Sequence, residues 1–263
     1  MAFETILSNF SLFFQMAMLI FLLACSVGLV KESGRSLTSV FLTFSFAIYL
    51  LTDIYWVIYL FIRPDVRMPF AANEIGEASL FLLMASTLRA AVRVPYGASF
   101  KCTAGTILFS LCNIILWISW SGEYIQDILI GITFTYFLYT ICTAIEFRQA
   151  FKRYMWIVMV ICCILIVILQ TTTFYTSDSS KNTIDTCAYI LMLASVIFLI
   201  VLFILSWKKE SSNVILCKIF VLLGFILTVK YMSDGVWYVL FQIIETISLA
   251  FLYLSVRKVV GKE

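Results

Sequence analysis

The chain has 263 residues, of which 63% are hydrophobic and 13% are charged, and its mean hydropathy is +1.05. Soluble domains are about half apolar and about a quarter charged, so this composition predicts an integral membrane protein. The formal net charge of +3 argues against a nucleic-acid partner, and the absence of histidine excludes His-ligated metal sites and Ser–His or Cys–His catalysis.

Nine apolar runs follow one another along the chain, each long enough to cross about 30 Å of hydrocarbon. The runs cover residues 9–30, 37–62, 70–91, 102–120, 124–147, 154–175, 185–207, 213–230 and 236–256. Their connections are short, which predicts one all-α, polytopic membrane domain over residues 1–263, built as one helix followed by four hairpins. Glu4 is the only charged residue before the first run, so the positively charged segment of a signal peptide is missing. We therefore interpret that run as a membrane helix rather than a cleaved signal peptide.

The distribution of Lys and Arg predicts the orientation of this bundle. With the N-terminus outside, 14 of the 18 basic residues fall on cytoplasmic segments, and the outer side keeps Arg63, Arg67, Lys181 and Lys230. This bias follows the positive-inside rule and predicts an N-out, C-in topology. We expect the chain to lie in a bacterial cytoplasmic membrane, with membrane lipids as its surroundings.

Acidic residues inside the predicted spans are the main candidates for a functional site: Asp53, Glu74, Glu77 and Glu245. Counting about 1.5 Å per residue places Asp53 and Glu245 roughly 13 Å, and Glu77 roughly 10 Å, from the outer helix ends, with Glu74 shallower. We predict that Asp53 and Glu77 face each other across the first hairpin. Gly76 leaves room beside them for close approach of another helix or of a ligand.

Polar and aromatic neighbours extend this candidate site. Asn73 shares a helix face with Glu77, and Gln242 shares one with Glu245, because residues three or four apart are neighbours on a helix. Trp56 lies one turn from Asp53. The predicted ligand-binding set is therefore Asp53, Trp56, Asn73, Glu77, Gln242 and Glu245. Most other aromatics at the outer ends, including Trp117 and Tyr231, are interpreted as interfacial anchors.

No basic residue is predicted to neutralise these acids. We expect Lys230, near the outer end of its helix, to reach the interface by snorkelling. The carboxyls would then be neutral, share protons, or bind something that the chain does not supply, such as a cation or a cationic ligand. A purely structural role, in which the carboxyls only fix helix packing, is the other interpretation.

The eight cysteines give little sign of a chemical role. All lie inside apolar runs or at their edges, and none shows CxxC spacing, so we expect packing residues rather than disulfides or a metal cluster. No nucleotide-binding loop, nucleophile elbow or zinc-protease motif is present in the sequence. We therefore expect neither a cofactor nor a metal.

Two short segments resemble a known family. LLTDIYW (Leu50–Trp56) and KYMSDG (Lys230–Gly235) are similar to the Asp-containing motifs of the lysoplasmalogenase-like membrane proteins. That family is usually counted at eight helices, whereas nine are predicted here. The resemblance implies an intramembrane lipid hydrolase in which Asp53 and Glu77 act as acid and base on a bound water.

Three classes of function fit the sequence. The first is a sensor or regulatory receptor-like bundle that binds a small or lipophilic ligand in an outward-facing polar cavity and acts through a cytoplasmic or membrane protein partner. The second is a proton- or cation-coupled transporter that uses Asp53, Glu77 and Glu245, and the third is the lipid hydrolase. We favour the sensor over a carrier, because the spans carry few of the Pro and Gly interruptions that are typical of carriers. We favour it over an enzyme, because the sequence shows no decisive catalytic motif.

Overall fold

A computed structural model of the chain describes residues 2–62, 73–94, 97–121, 124–175, 181–207 and 210–261. Within these ranges all regular secondary structure is helical, and nine helices are long and apolar enough to cross a membrane. The predicted all-α bundle with nine spans is therefore confirmed, and the chain is a multi-pass integral membrane protein.

The helices lie close to the predicted runs. Their bounds are α1 Ala2–Glu32, α2 Leu37–Ile62, α3 Asn73–Val92, α4 Phe100–Ser121, α5 Tyr124–Phe147, α6 Arg153–Tyr175, α7 Lys181–Trp207, α8 Ser212–Tyr231 and α9 Gly235–Val260. The shortest, α3 and α8, have 20 residues and measure about 30 Å, enough to cross the hydrocarbon. The largest difference from prediction is the start of α1, which begins at Ala2.

Successive helices pair as the four predicted hairpins. α2 packs on α3, α4 on α5, α6 on α7 and α8 on α9, while α1 packs against both α2 and α9. Contacts of α3 and α8 with α5 join the hairpins into one bundle. We call the end where α2, α4, α6 and α8 finish the outer end, because the Lys/Arg distribution assigns it to the outside.

α8 lies at the centre of the bundle. It is apolar around most of its circumference and is buried on nearly all sides, as expected for a central helix. Phe220 of α8 and three rings from α3 and α5 are fully buried and form an aromatic layer, made of Phe81, Phe134, Phe137 and Phe220. Ring centroids are 5.1 Å apart for Phe81–Phe134 and 6.1 Å apart for Phe137–Phe220.

Glycine permits the close approach of α3 to α2. A Cβ atom at Gly76 would lie 2.2 Å from Thr52 Oγ1, which is far inside van der Waals contact. A larger residue would therefore force the two helices apart. The sequence-based prediction that Gly76 allows close approach of another helix is confirmed.

Two cysteines depart from the expectation of simple packing. Cys102 in α4 and Cys142 in α5 are paired as a disulfide, with Cα atoms 6.1 Å apart. The expectation that the cysteines form no disulfide is therefore wrong for this pair. They are 40 positions apart in the chain and become neighbours because α4 and α5 are antiparallel, which their sequence spacing does not reveal.

Candidate functional site: a polar cavity at the outer end

A cavity of about 460 Å³ opens at the outer end of the bundle. It lies among α1 to α5, α8 and α9, and its wall combines carboxylates, amides, tryptophans and tyrosines. The side chains in this wall include Gln15, Tyr49, Asp53, Trp56, Glu77, Trp117, Trp120, Asp127, Lys230, Tyr231, Tyr238 and Gln242. Its volume is within the range of small-molecule sites.

The structure brings most of the predicted site residues to this cavity. Asp53, Trp56, Glu77 and Gln242 lie in its wall, although they come from three different helices. Glu245 does not line the cavity, but it forms an ion pair with Lys230, which does. The side chain of Asn73 lies outside the described part of the chain.

Lys230 is the neighbour of Glu245, contrary to the prediction that it snorkels away. Its ammonium donates to Glu245 Oε2 at 2.6 Å and to the Tyr49 hydroxyl at 3.1 Å. The Tyr49 hydroxyl in turn donates to Glu245 Oε1 at 2.5 Å. The prediction that no basic residue pairs with the acids is therefore wrong. α8 is central rather than lipid-facing, so burial holds Lys230 against α9 instead of releasing it to the interface.

Glu77 accepts a hydrogen bond from Tyr231, the residue that follows Lys230 in α8. The Tyr231 hydroxyl donates to Glu77 Oε2 at 2.7 Å. Glu77 lies four residues after Asn73, the first residue of α3, so it is roughly 6 Å into the helix, shallower than the predicted 10 Å. Lys230 and Tyr231 thus bind the carboxylates of two different helices, Glu245 in α9 and Glu77 in α3.

An amide network lines the side of the cavity formed by α1 and α9. Ser11 Oγ donates to Gln242 Oε1 at 2.7 Å, and Gln242 Nε2 donates to Gln15 Oε1. The remaining amide group of this network, Gln15 Nε2, has no hydrogen-bond partner among the described residues. The network therefore presents one unused donor.

Three wall residues keep buried polar atoms without a hydrogen-bond partner in the described part of the chain: Asp53 Oδ2, Gln15 Nε2 and Trp117 Nε1. Their side chains are strongly enclosed, since Asp53 is 7%, Gln15 0% and Trp117 4% exposed. Buried polar groups are nearly always hydrogen-bonded, and the described residues supply these three atoms with no partner. One carboxyl oxygen and two N–H donors meet this description in one cavity.

The aromatic layer closes the cavity on the side away from the outer end. Trp117 and Tyr231, whose rings are 5.2 Å apart, form the boundary. Phe81 packs 6.2 Å from Tyr231, one turn deeper in α3 than Glu77. Phe134 packs 5.5 Å from Trp117 on the same deeper side. The cavity therefore opens at the outer end of the bundle, and fully buried phenyl rings pack behind Trp117 and Tyr231 at its deep side.

Sequence reasoning left eight of these wall residues out of the predicted site: Gln15, Tyr49, Trp117, Trp120, Asp127, Lys230, Tyr231 and Tyr238. A signal existed for Gln15, which is the one polar residue between Leu12 and Ala24. A signal also existed for Trp117, because it shares a helix face with buried Asn113, four residues before it. The interpretation of Trp117 as an interfacial anchor is therefore wrong.

The fold and the cavity define the class of this chain as a multi-pass, nine-helix integral membrane protein with a polar cavity at its outer end. A scan against protein-family models, a search of curated proteins and a search of solved structures found no match to the chain.

Proposed function

We propose that this protein is a receptor-like membrane sensor that binds a small ligand from the outer side in the polar cavity. The observation that carries the proposal is Asp53, a 93%-enclosed carboxylate whose Oδ2 atom has no hydrogen-bond partner among the described residues although it lines a roomy cavity. Leaving a buried acceptor unpaired costs free energy, and a ligand that donates to it would recover that cost.

The floor of the cavity favours binding over passage. A carrier must open its midplane site to both sides of the membrane in turn, and such sites are often built from interrupted helices. Here the cavity ends on the aromatic layer, and each of the nine described helices is continuous. A cavity that opens at the outer end and is closed at its deep side suits a sensor.

α8 offers a route by which binding could reach the cytoplasmic end. Its outer end carries Lys230 and Tyr231 in the cavity wall. One turn and a half after its start, Lys218 is buried and donates to Ser206 Oγ at 2.6 Å and to Glu210 Oε1 at 2.5 Å. A shift of this central helix would therefore disturb polar contacts at both ends. The output would need a cytoplasmic or membrane protein partner, because the spans are joined by short connections.

Ligand-dependent stabilisation tests the proposal. The purified protein in lipid nanodiscs is heated with each member of a library of small polar and amphipathic compounds. A ligand of the cavity should raise the melting temperature of the wild type and of Asp185→Asn, whose carboxylate is at the outer end of α7 outside the cavity wall. The same compound should raise the melting temperature of Asp53→Asn clearly less than that of the wild type. A library without stabilising members, or an undiminished shift in Asp53→Asn, would contradict the proposal.

A proton- or cation-coupled carrier is the second candidate, and the buried Lys230–Glu245 pair favours it. Ion pairs inside membrane spans often belong to proton or ion pathways. The carrier would drive proton-linked flux in proteoliposomes, and Glu77→Gln would abolish that flux. Flux equal to that of protein-free vesicles removes this candidate.

The lipid hydrolase is supported by one geometric fact, namely that Asp53 and Glu77 line the same cavity. It would release a head group or an acyl product from defined lipids, and Asp53→Asn would be inactive. No turnover across a lipid panel removes the hydrolase.

A further inference from the structure

The polar groups of the cavity wall specify the chemistry of the ligand more closely than the proposed function does. We infer that the cavity takes an organic ammonium compound whose other end carries an oxygen acceptor, with the ammonium donating to Asp53. This inference rests on the proposed function, since it assigns a ligand class to the same cavity.

The ammonium end follows from the pairing of charges in the wall. Asp53 Oδ2 is a buried carboxyl oxygen without a partner among the described residues. The nearby cation of the wall, Lys230, is already engaged by Glu245 at 2.6 Å and by the Tyr49 hydroxyl at 3.1 Å. Its ammonium also lies 5.7 Å from the Tyr49 ring and 5.6 Å from the Tyr238 ring. Among the described wall residues Lys230 is thus committed to Glu245, and an ammonium of the ligand would supply Asp53 with a positive charge of its own.

The acceptor end follows from the two unused donors. Gln15 Nε2 and Trp117 Nε1 are buried N–H groups without hydrogen-bond partners in the described chain. A metal cation offers nothing to an N–H donor, whereas a hydroxyl or carbonyl oxygen accepts from one. Among the described residues, no cluster of three or more Cys, Asp or Glu side chains is positioned to hold a metal. The wall therefore matches an organic cation rather than a metal ion.

The placement of these groups on different helices fits a ligand with an aromatic or apolar middle. Asp53 belongs to α2, whereas Trp117 belongs to α4, which packs against α5 and α6. The two groups are thus on different walls of the cavity. Trp117 and Tyr231, with ring centroids 5.2 Å apart, supply an aromatic surface beside the acceptor end. Aromatic walls also attract cations, as in known ammonium-binding sites.

Three related probes separate the parts of this inference in the wild-type protein. Tyramine carries a primary ammonium, an aromatic ring and a phenolic oxygen. Phenethylamine lacks the oxygen, and 4-ethylphenol lacks the ammonium. Binding to the protein in nanodiscs is measured by the quenching of tryptophan fluorescence, to which the wall residues Trp56, Trp117 and Trp120 contribute, and by the melting temperature.

We expect tyramine to bind most tightly, phenethylamine more weakly and 4-ethylphenol at least about tenfold more weakly than tyramine, because a hydrogen bond to a charged group is lost. Asp53→Asn should weaken tyramine binding by a similar factor, while Asp185→Asn should leave it unchanged. Asn preserves the size of the side chain, and the probe series in the wild type does not depend on how any variant folds.

Three results would overturn the inference. Equal binding of tyramine and 4-ethylphenol would show that the cavity takes ligands without recognising an ammonium, which leaves the proposed function standing. Stabilisation by 5 mM CaCl2 that depends on Asp53, without any effect of tyramine or phenethylamine, would show a metal site instead. If no ammonium probe binds while a neutral library compound does, the ligand class is wrong although the sensor is not.

Discussion

The buried pair between Lys230 and Glu245 gives the sharpest prediction for stability. The ammonium and the carboxylate are 2.6 Å apart, and their side chains are 12% and 1% exposed. At an effective dielectric constant of about 20, charges at this separation attract each other by about 6 kcal/mol. Desolvation opposes much of this attraction, but removal of one partner leaves the other charge buried and uncompensated. Lys230→Met and Glu245→Gln should therefore each lower the free energy of unfolding by about 3–5 kcal/mol.

A double-mutant cycle tests this reasoning. The double variant Lys230→Met/Glu245→Gln removes both charges, so it should be more stable than the sum of the single losses predicts, with a coupling of about 2 kcal/mol or more. Unfolding of the purified protein in mixed micelles with increasing SDS, followed by tryptophan fluorescence, measures each free energy. Lys258→Met, which removes an exposed lysine from the last turn of α9, is the control and should change stability by less than about 0.5 kcal/mol. Single losses below 1 kcal/mol, or strict additivity, would refute a buried ion pair.

Three further substitutions test other parts of the bundle in the same unfolding assay. Gly76→Ala should cost about 1–3 kcal/mol, because its Cβ atom would meet Thr52 Oγ1 at 2.2 Å. Gly28→Ala, with nothing within 4 Å, should be neutral or stabilising, and equal effects of the two would contradict the close packing of α2 and α3. Phe137→Ala should lower the free energy of unfolding by about 3–5 kcal/mol, because it leaves a cavity in the aromatic layer. A loss under about 1 kcal/mol would mean that the layer is not packed. Tyr49→Phe should cost about 1–3 kcal/mol through two lost hydrogen bonds to the ion pair, and an unchanged stability would remove Tyr49 from that cluster.

The spans were predictable because the bilayer imposes a simple rule on sequence. Each helix must be apolar over about 20 residues, and basic residues must collect on one side of the membrane. The nine helices follow directly from these two constraints. The depth of Glu77 was less predictable, because the first residue of α3 depends on how the chain turns before it rather than on hydropathy.

The candidate site was predictable only in part. Asp53, Glu77 and Glu245 were predicted as site residues because acids are rare within membrane spans and seldom face lipid. The partner of Glu245 was missed because hydropathy does not say which helix is central. Lys230 at the end of a lipid-facing helix would snorkel, whereas on the buried α8 it meets Glu245 of α9. The hydrogen bond between Gln15 and Gln242 joins residues 227 positions apart, and no local sequence pattern predicts it.

The most direct test of a ligand site at Asp53 is an experimental structure of the protein in nanodiscs with a compound that raises its melting temperature. We expect density within the outer cavity, with a donor group of the compound at hydrogen-bond distance from Asp53 Oδ2. Density for the compound elsewhere on the bundle, with Asp53 bonded to a protein group and the cavity filled by side chains, would contradict it.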